Sequence, residues 1–117
     1  QAQTATIHYN RCDSAYDGWG AHLWKDGGIP IAGVEWQKPM PPSGKDDFGV
    51  FWTLKTDEFT KGRVNYIIHK GDTKEQGGRD MSFDANTSKE IWVNNGDRKI
   101  YTSLDDAKKA REAKPCN

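Results

Sequence analysis

The seven residues from Thr4 to Asn10, TATIHYN, alternate along the chain. Ala5, Ile7 and Tyr9 fall on one side, and Thr4, Thr6, His8 and Asn10 on the other. Successive side chains of a strand point to opposite faces, so this pattern predicts a half-buried strand. Similar runs recur at Trp19–Trp24 (WGAHLW), Val50–Leu54 (VFWTL) and Arg63–His69 (RVNYIIH). In the third, Val50, Trp52 and Leu54 share a face; in the fourth, Val64, Tyr66 and Ile68 do. Two shorter runs follow, Met81–Phe83 and EIWV, and Asn95-Gly96 between EIWV and RKIY is the strongest hairpin signal in the chain. Ser103 can cap a helix from Leu104 to Ala113, with Asp106 three residues on as a capping-box analogue and Pro115 as a stop. The connection from Lys25 to Gly49 is rich in Gly, Pro and Asp. It is expected to be irregular apart from a short strand at Gly33–Trp36, and long ordered loops are often functional. Several short strands with turn clusters and one terminal helix predict an all-β, antiparallel β-sandwich with a short C-terminal helix.

Composition fits that expectation. A chain of 117 residues suits one compact domain, residues 1–117, and no internal repeat or linker divides it. Hydrophobic residues make up only 34%, so the core must be thin, as in two sheets that each bury alternate residues. Seventeen basic residues balance 17 acidic ones. The basic footprint of a general nucleic-acid binder is missing, and no apolar run is long enough for a membrane helix. Neither nucleic acid nor membrane is an expected partner. The chain opens on QAQ without a charged and apolar leader, the expectation for a cytoplasmic protein or a mature one whose signal has been removed. Cys12 and Cys116 lie near opposite ends and have no zinc-type spacing. Domain termini often lie close together, so the two could form a disulfide; two unrelated thiols are the alternative.

Five tryptophans are many for this length. Trp19, Ala21 and Leu23 are in phase and apolar, the expected core face of the second strand. Gly20, His22 and Trp24 take the other face, a poor core and a good contact surface. Gly20 would let a bulky partner approach the backbone. A second reading has Trp24 covered by the long loop and His22 as an ordinary surface histidine. Trp19, Trp52 and Trp92 are read as core, the facing of Trp92 being open, and Trp36 either covers the core edge or extends the aromatic surface.

An aromatic ring suits the C–H face of a pyranose sugar, whose hydroxyls then need donors and acceptors at the rim. The turn KGDTKEQGGRD supplies Lys70, Asp72, Lys74, Glu75, Arg79 and Asp80. For any one of these charges a solvated turn is the commoner role.

Taken together, YDGWGAHLW, GKDDFG and IIHKGDTKEQGGRD, in this order and spacing, resemble carbohydrate-binding module family 41, the N-terminal starch-binding domains of bacterial pullulanases. The resemblance runs from about Thr4 to the final helix. It implies an immunoglobulin-like sandwich that binds α-1,4-linked glucans such as starch, amylopectin, glycogen, pullulan and maltooligosaccharides. It also implies a covalently linked catalytic domain, a secreted or cell-surface bacterial setting, and no cofactor. The family's two stacking aromatics map onto His22 and Trp24; many members carry tryptophan at the first, and imidazole offers a smaller face. The family's lysine and aspartate from the turn after the fourth strand correspond to Lys74 and Asp80, or to a neighbour if the longer turn shifts the match. In a bacterial chain the glycosylation-like Asn86-Thr87-Ser88 is a coincidence of sequence.

Catalysis is not expected. Glycoside hydrolysis needs two carboxylates flanking the bond, one held protonated by an apolar site, whereas Asp46, Asp47, Asp72 and Asp80 sit in polar turns. No GxSxG occurs, and His8, His22 and His69 lack metal-ligand spacing. A sandwich-type interaction or adhesion domain could use the same aromatic face against a protein. A single-stranded nucleic acid could also stack there, but the neutral charge opposes it.

Overall fold

The computed structural model describes residues 4–11, 15–31, 33–75 and 80–113. Its strands are β1 (Thr4–Asn10), β2 (Gly20–Lys25), β3 (Ile29–Pro30), β4 (Gly44–Lys45), β5 (Val50–Lys55), β6 (Arg63–Lys70), β7 (Thr73–Lys74), β8 (Met81–Asp84) and β9 (Glu90–Asn94). The helix α1 spans Leu104–Ala113. One sheet has the order β4-β5-β1-β9; the other has β3-β2-β6-β7, with β8 also paired to β6.

The two sheets enclose one core. The first contributes Ala5, Ile7, Tyr9, Val50, Trp52, Leu54, Ile91 and Val93; the second contributes Ala21, Leu23, Val64, Tyr66, Ile68 and Phe83, all buried. These are the alternate positions that the sequence pattern assigns inward. Trp19 joins them at the head of β2. The helix buries Ala107 against β9, where the Asn94 amide donates to the Ala107 carbonyl at 3.0 Å. The Ser103 hydroxyl accepts the Asp106 amide proton at 3.1 Å, the cap expected there. Cys12, Cys116 and Pro115 lie outside the described residues.

Four details depart from the sequence expectations. The sheets are antiparallel except where β9, crossing over from the second sheet after β8, runs parallel to β1; alternation assigns a face but not a neighbour or a direction. Residues 33–36 form no strand, only the single bridge Glu35–Lys38. The Asn95-Gly96 turn closes with the Asp97 amide donating to Asn94 at 3.0 Å, but the returning chain pairs through one bridge, Trp92–Tyr101. Only Gly96 of the two turn residues has positive φ, whereas the hairpin-forming type I′ turn needs it at both. Trp92 faces outward with Glu90 and stacks on His8, rings 5.0 Å apart and 5° from parallel. It belongs to the outer surface of the first sheet, not the core.

Candidate functional site

The outer face of the second sheet carries the aromatic cluster. Register places His22 opposite Ile67, Gly20 opposite His69 and Trp24 opposite Asn65. Alternation along β2 turns His22 and Trp24 outward while Ala21 and Leu23 are fully buried. Their rings lie 5.5 Å apart and are tilted by 32°, so they present two inclined surfaces. Trp36, from the long loop, approaches His22 edge-on at 5.5 Å. It stacks on His69 at 3.8 Å, 2° from parallel.

That stack explains a feature the pattern did not disclose. Both faces of β6 are buried, Asn65, Ile67 and His69 on the outer side as well as Val64, Tyr66 and Ile68 within. Trp36 roofs over His69, which is only 1% exposed. Trp36 is not part of the core; it covers the outer face of the sheet at His69 and lines the aromatic depression. His69 is the member of the cluster that sequence reading missed. Its phase on β6, opposite Gly20 and on the same face as His22, was the available signal.

His22, Trp24, Trp36, Ile67, Gly28 and Asp80 line an open depression of about 300 Å³. The exposed Lys74 stands beside it, its Nζ 5.2 Å from the Trp36 ring centroid. Lys74 and Asp80 are thus brought to the aromatics. Of the other turn charges, Lys70 and Asp72 are exposed and Arg79 lies outside the described residues. Glu75 turns inward. Its carboxylate accepts hydrogen bonds from the Tyr9 hydroxyl at 2.7 Å, the Asn95 amide at 2.7 Å and the Gly96 backbone N–H at 3.0 Å. Burial, and then the bond to Glu75, push the Tyr9 phenol well above its ordinary pKa.

Each histidine of the cluster leaves one buried ring nitrogen without a protein partner. His69 donates from Nδ1 to the Gly71 carbonyl at 3.0 Å, and neither its buried Nε2 nor the buried Nδ1 of His22 has a protein partner. Desolvation, followed by the neighbouring His69, lowers the pKa of His22, with a hydrogen bond to the Glu35 backbone opposing. A neutral imidazole at this position is an apolar surface with a polar edge. Gly20 plays a different part from the one its sequence position suggested. A Cβ there would meet Pro39 at 2.7 Å and the Met40 carbonyl at 3.0 Å, so the close approach is made by the chain's own loop. Among the described residues, no group of three His, Cys, Asp or Glu is placed to hold a metal ion. No helix there is long and apolar enough to cross a membrane.

The family described as bacterial pullanase-associated domain matches residues 3–102. The chain belongs to this family. A pullanase-associated domain is an accessory to an enzyme rather than the enzyme itself, and this one is similar to part of an α-amylase from Streptomyces lividans. The two are 42% identical over 72 residues, covering 61% of this chain and 7% of the amylase. Its fold is similar to that of pullulanase from Klebsiella pneumoniae complexed with maltotriose (TM-score 0.74, 21% identity, 94% of this chain and 12% of the pullulanase). It is also similar to a structure of α-glucan recognition by family 41 carbohydrate-binding modules from streptococcal virulence factors. There the TM-score is 0.68 at 21% identity, covering 86% of this chain and 47% of the other. The domain thus spans a small fraction of the amylase and of the pullulanase it matches.

Proposed function

We propose that this domain is a single, non-catalytic carbohydrate-binding module of family 41 type, which binds α-1,4-linked glucan and holds a linked pullulanase- or amylase-type catalytic domain on its substrate. The observation that carries the reading is the pair of inclined rings, His22 and Trp24, set on a rigid strand at the edge of an open, half-aromatic depression. Consecutive glucose rings of a curved chain turn their C–H faces to two such planes, and Trp36 walls one end. Lys74 donates to a hydroxyl and Asp80 accepts from one, fixing the sugar's orientation. The setting is secreted or cell-surface, where such polymers are met.

The relatives support this ligand class: one structure is a pullulanase complexed with maltotriose and another concerns α-glucan recognition. The depression is shallow, so affinity is expected on the order of micromolar to millimolar. Linkage to a second site or to a catalytic domain raises the effective strength without new contacts.

Titration of maltoheptaose, followed by tryptophan fluorescence with cellohexaose as control, tests the proposal. A saturable change with the maltose series alone is expected. Trp24→Ala should weaken binding by about 30-fold or more, as loss of a central aromatic anchor does, with the melting transition nearly unmoved because Trp24 lies outside the core. An unchanged affinity in Trp24→Ala, or equal binding of cellohexaose, would sink the assignment.

A further inference from the structure

We infer that the glucan site extends beyond the aromatic depression, along the strands, into a second, polar subsite built by Asp26, Lys61, Arg63, Ser82 and Asp84. The inference rests on the glucan-binding reading given above and adds a place for further sugar rings.

Strand register lines the two places up. The aromatic depression takes Trp24 from β2, Ile67 from β6 and Asp80 from the residue just before β8. The second depression, about 420 Å³, takes Asp26 after the same β2, Arg63 from the same β6, and Ser82 and Asp84 from β8 itself. Each of the three chain segments therefore leads from one depression to the other. Ile67 and Arg63, four residues apart on one strand, are separated by about 13 Å. Between them lies Asn65, whose amide donates to the Trp24 carbonyl at 3.2 Å and to Asp26 Oδ1 at 3.0 Å. The two depressions share that strut.

The polar groups are arranged as donors beside acceptors. Arg63 Nε lies 3.6 Å from Asp26 Oδ1, with both side chains about half exposed, and an Arg63 Nη donates to the Ser82 hydroxyl at 3.4 Å. These contacts are long, so water or a hydroxyl of suitable geometry competes for them. Asp84 accepts the Asn86 N–H at 2.9 Å and the Thr87 hydroxyl at 3.4 Å from its own turn, so Asp26 is the carboxylate set beside the Arg63 guanidinium. Mixed charge at one place suits neither an anion nor a cation. It suits a neutral polyol, whose adjacent hydroxyls accept from the guanidinium and donate to the carboxylate.

The backbone at the rim carries a second sign. Lys61 is in the left-handed region (φ 54, ψ 28), the sole non-glycine residue with positive φ among those described. The Asn86 amide holds that turn by donating to the Lys61 carbonyl at 2.8 Å. A glycine would fit such a backbone more easily. Lys61 is one of the residues that line the depression.

Calorimetric titration of maltotriose and maltoheptaose into wild type, Arg63→Met and Lys61→Gly tests the extension. Arg63→Met retains the aliphatic stem, and Lys61→Gly suits the backbone already present, so both fold. Wild type should bind maltoheptaose more tightly than maltotriose. Each variant should lose about threefold to tenfold in affinity for maltoheptaose while its affinity for maltotriose stays unchanged. If maltotriose binds and the variants leave maltoheptaose affinity untouched, or weaken both sugars equally, the second subsite is overturned and the aromatic site stands. If wild type binds neither sugar, the glucan reading falls and the extension with it.

Discussion

At the scale of single residues, two side chains of the same loop-rich region do opposite work. Asp80 lines the open depression; Glu75, five residues earlier, is buried as a carboxylate with three donors around it and Arg11 Nη1 at 3.5 Å. It ties β1, the turn after β9 and the end of β7 together. Removing it strands the Tyr9 hydroxyl and the Asn95 and Gly96 N–H groups, so Glu75→Ala should cost about 3–5 kcal/mol, by analogy with breaking a buried pair, and Glu75→Gln clearly less. Urea unfolding of the two variants measures the difference; equal midpoints for Ala and Gln would refute the role of the network. His22 is the residue through which pH reaches the site. Its folded pKa is lowered from 6.5, first by burial and then by His69. The unfolded chain thus binds the proton more readily than the folded one, and stability rises with pH across that interval. The contribution is whole above about pH 6.5 and is lost as pH falls towards the lowered value. Melting temperatures and glucan affinities compared at pH 7.5 and pH 5 should show wild type declining more than His22→Phe. Parallel pH profiles for the two would remove His22 from the account.

At the scale of elements, what the sequence revealed depended on how local the cause was. β1, β5 and α1 were legible because each carries its own strict pattern: inward Ala5, Ile7 and Tyr9; inward Val50, Trp52 and Leu54; and a Ser103 cap. The outward turn of His22 and Trp24 followed from the same alternation. The burial of His69 was not legible, because its cover, Trp36, comes from a distant loop with no period of its own. The loop itself is fastened at Met40. Its carbonyl accepts from Trp52 Nε1 at 2.7 Å and from the Ala21 N–H at 3.0 Å, and its N–H returns a bond to Ala21 at 2.8 Å. That seam lies beside Gly20, where a side chain would strike Pro39. Gly20→Val should therefore destabilise the fold by about 1–3 kcal/mol and loosen Trp36 from His69. Chemical denaturation gives the first effect, and reduced glucan affinity in the folded variant gives the second. Wild-type stability in Gly20→Val would mean that the loop can move away from β2 without loss.

At the scale of the whole molecule, the two outer surfaces differ in kind. On the first sheet His8 stacks on Trp92 and its Nε2 bonds Glu90 at 2.7 Å, while its buried Nδ1, 3.2 Å from Asp46, makes no hydrogen bond. On the second, the rings of His22, Trp24 and Trp36 border an open depression, with His69 buried beneath Trp36. The charges, 17 of each sign, cancel over the chain. A stacking surface on a neutral body attracts a polymer by contact rather than by field. Glucan affinity should therefore change by less than about twofold between 50 and 500 mM sodium chloride, because no counterions are released when a neutral chain binds. A stacking site for nucleic acid would behave otherwise: six or more phosphate contacts lose about a thousandfold in affinity over a narrower range of salt. Affinity electrophoresis in amylopectin gels is unsuited to such salt, so retention on insoluble starch across the series is the appropriate measurement. Flat retention fits a surface that recognises hydroxyls and C–H faces. A steep fall would show that charge, concentrated locally at Lys74 and its neighbours, does most of the binding, and the two rings would then be secondary to it.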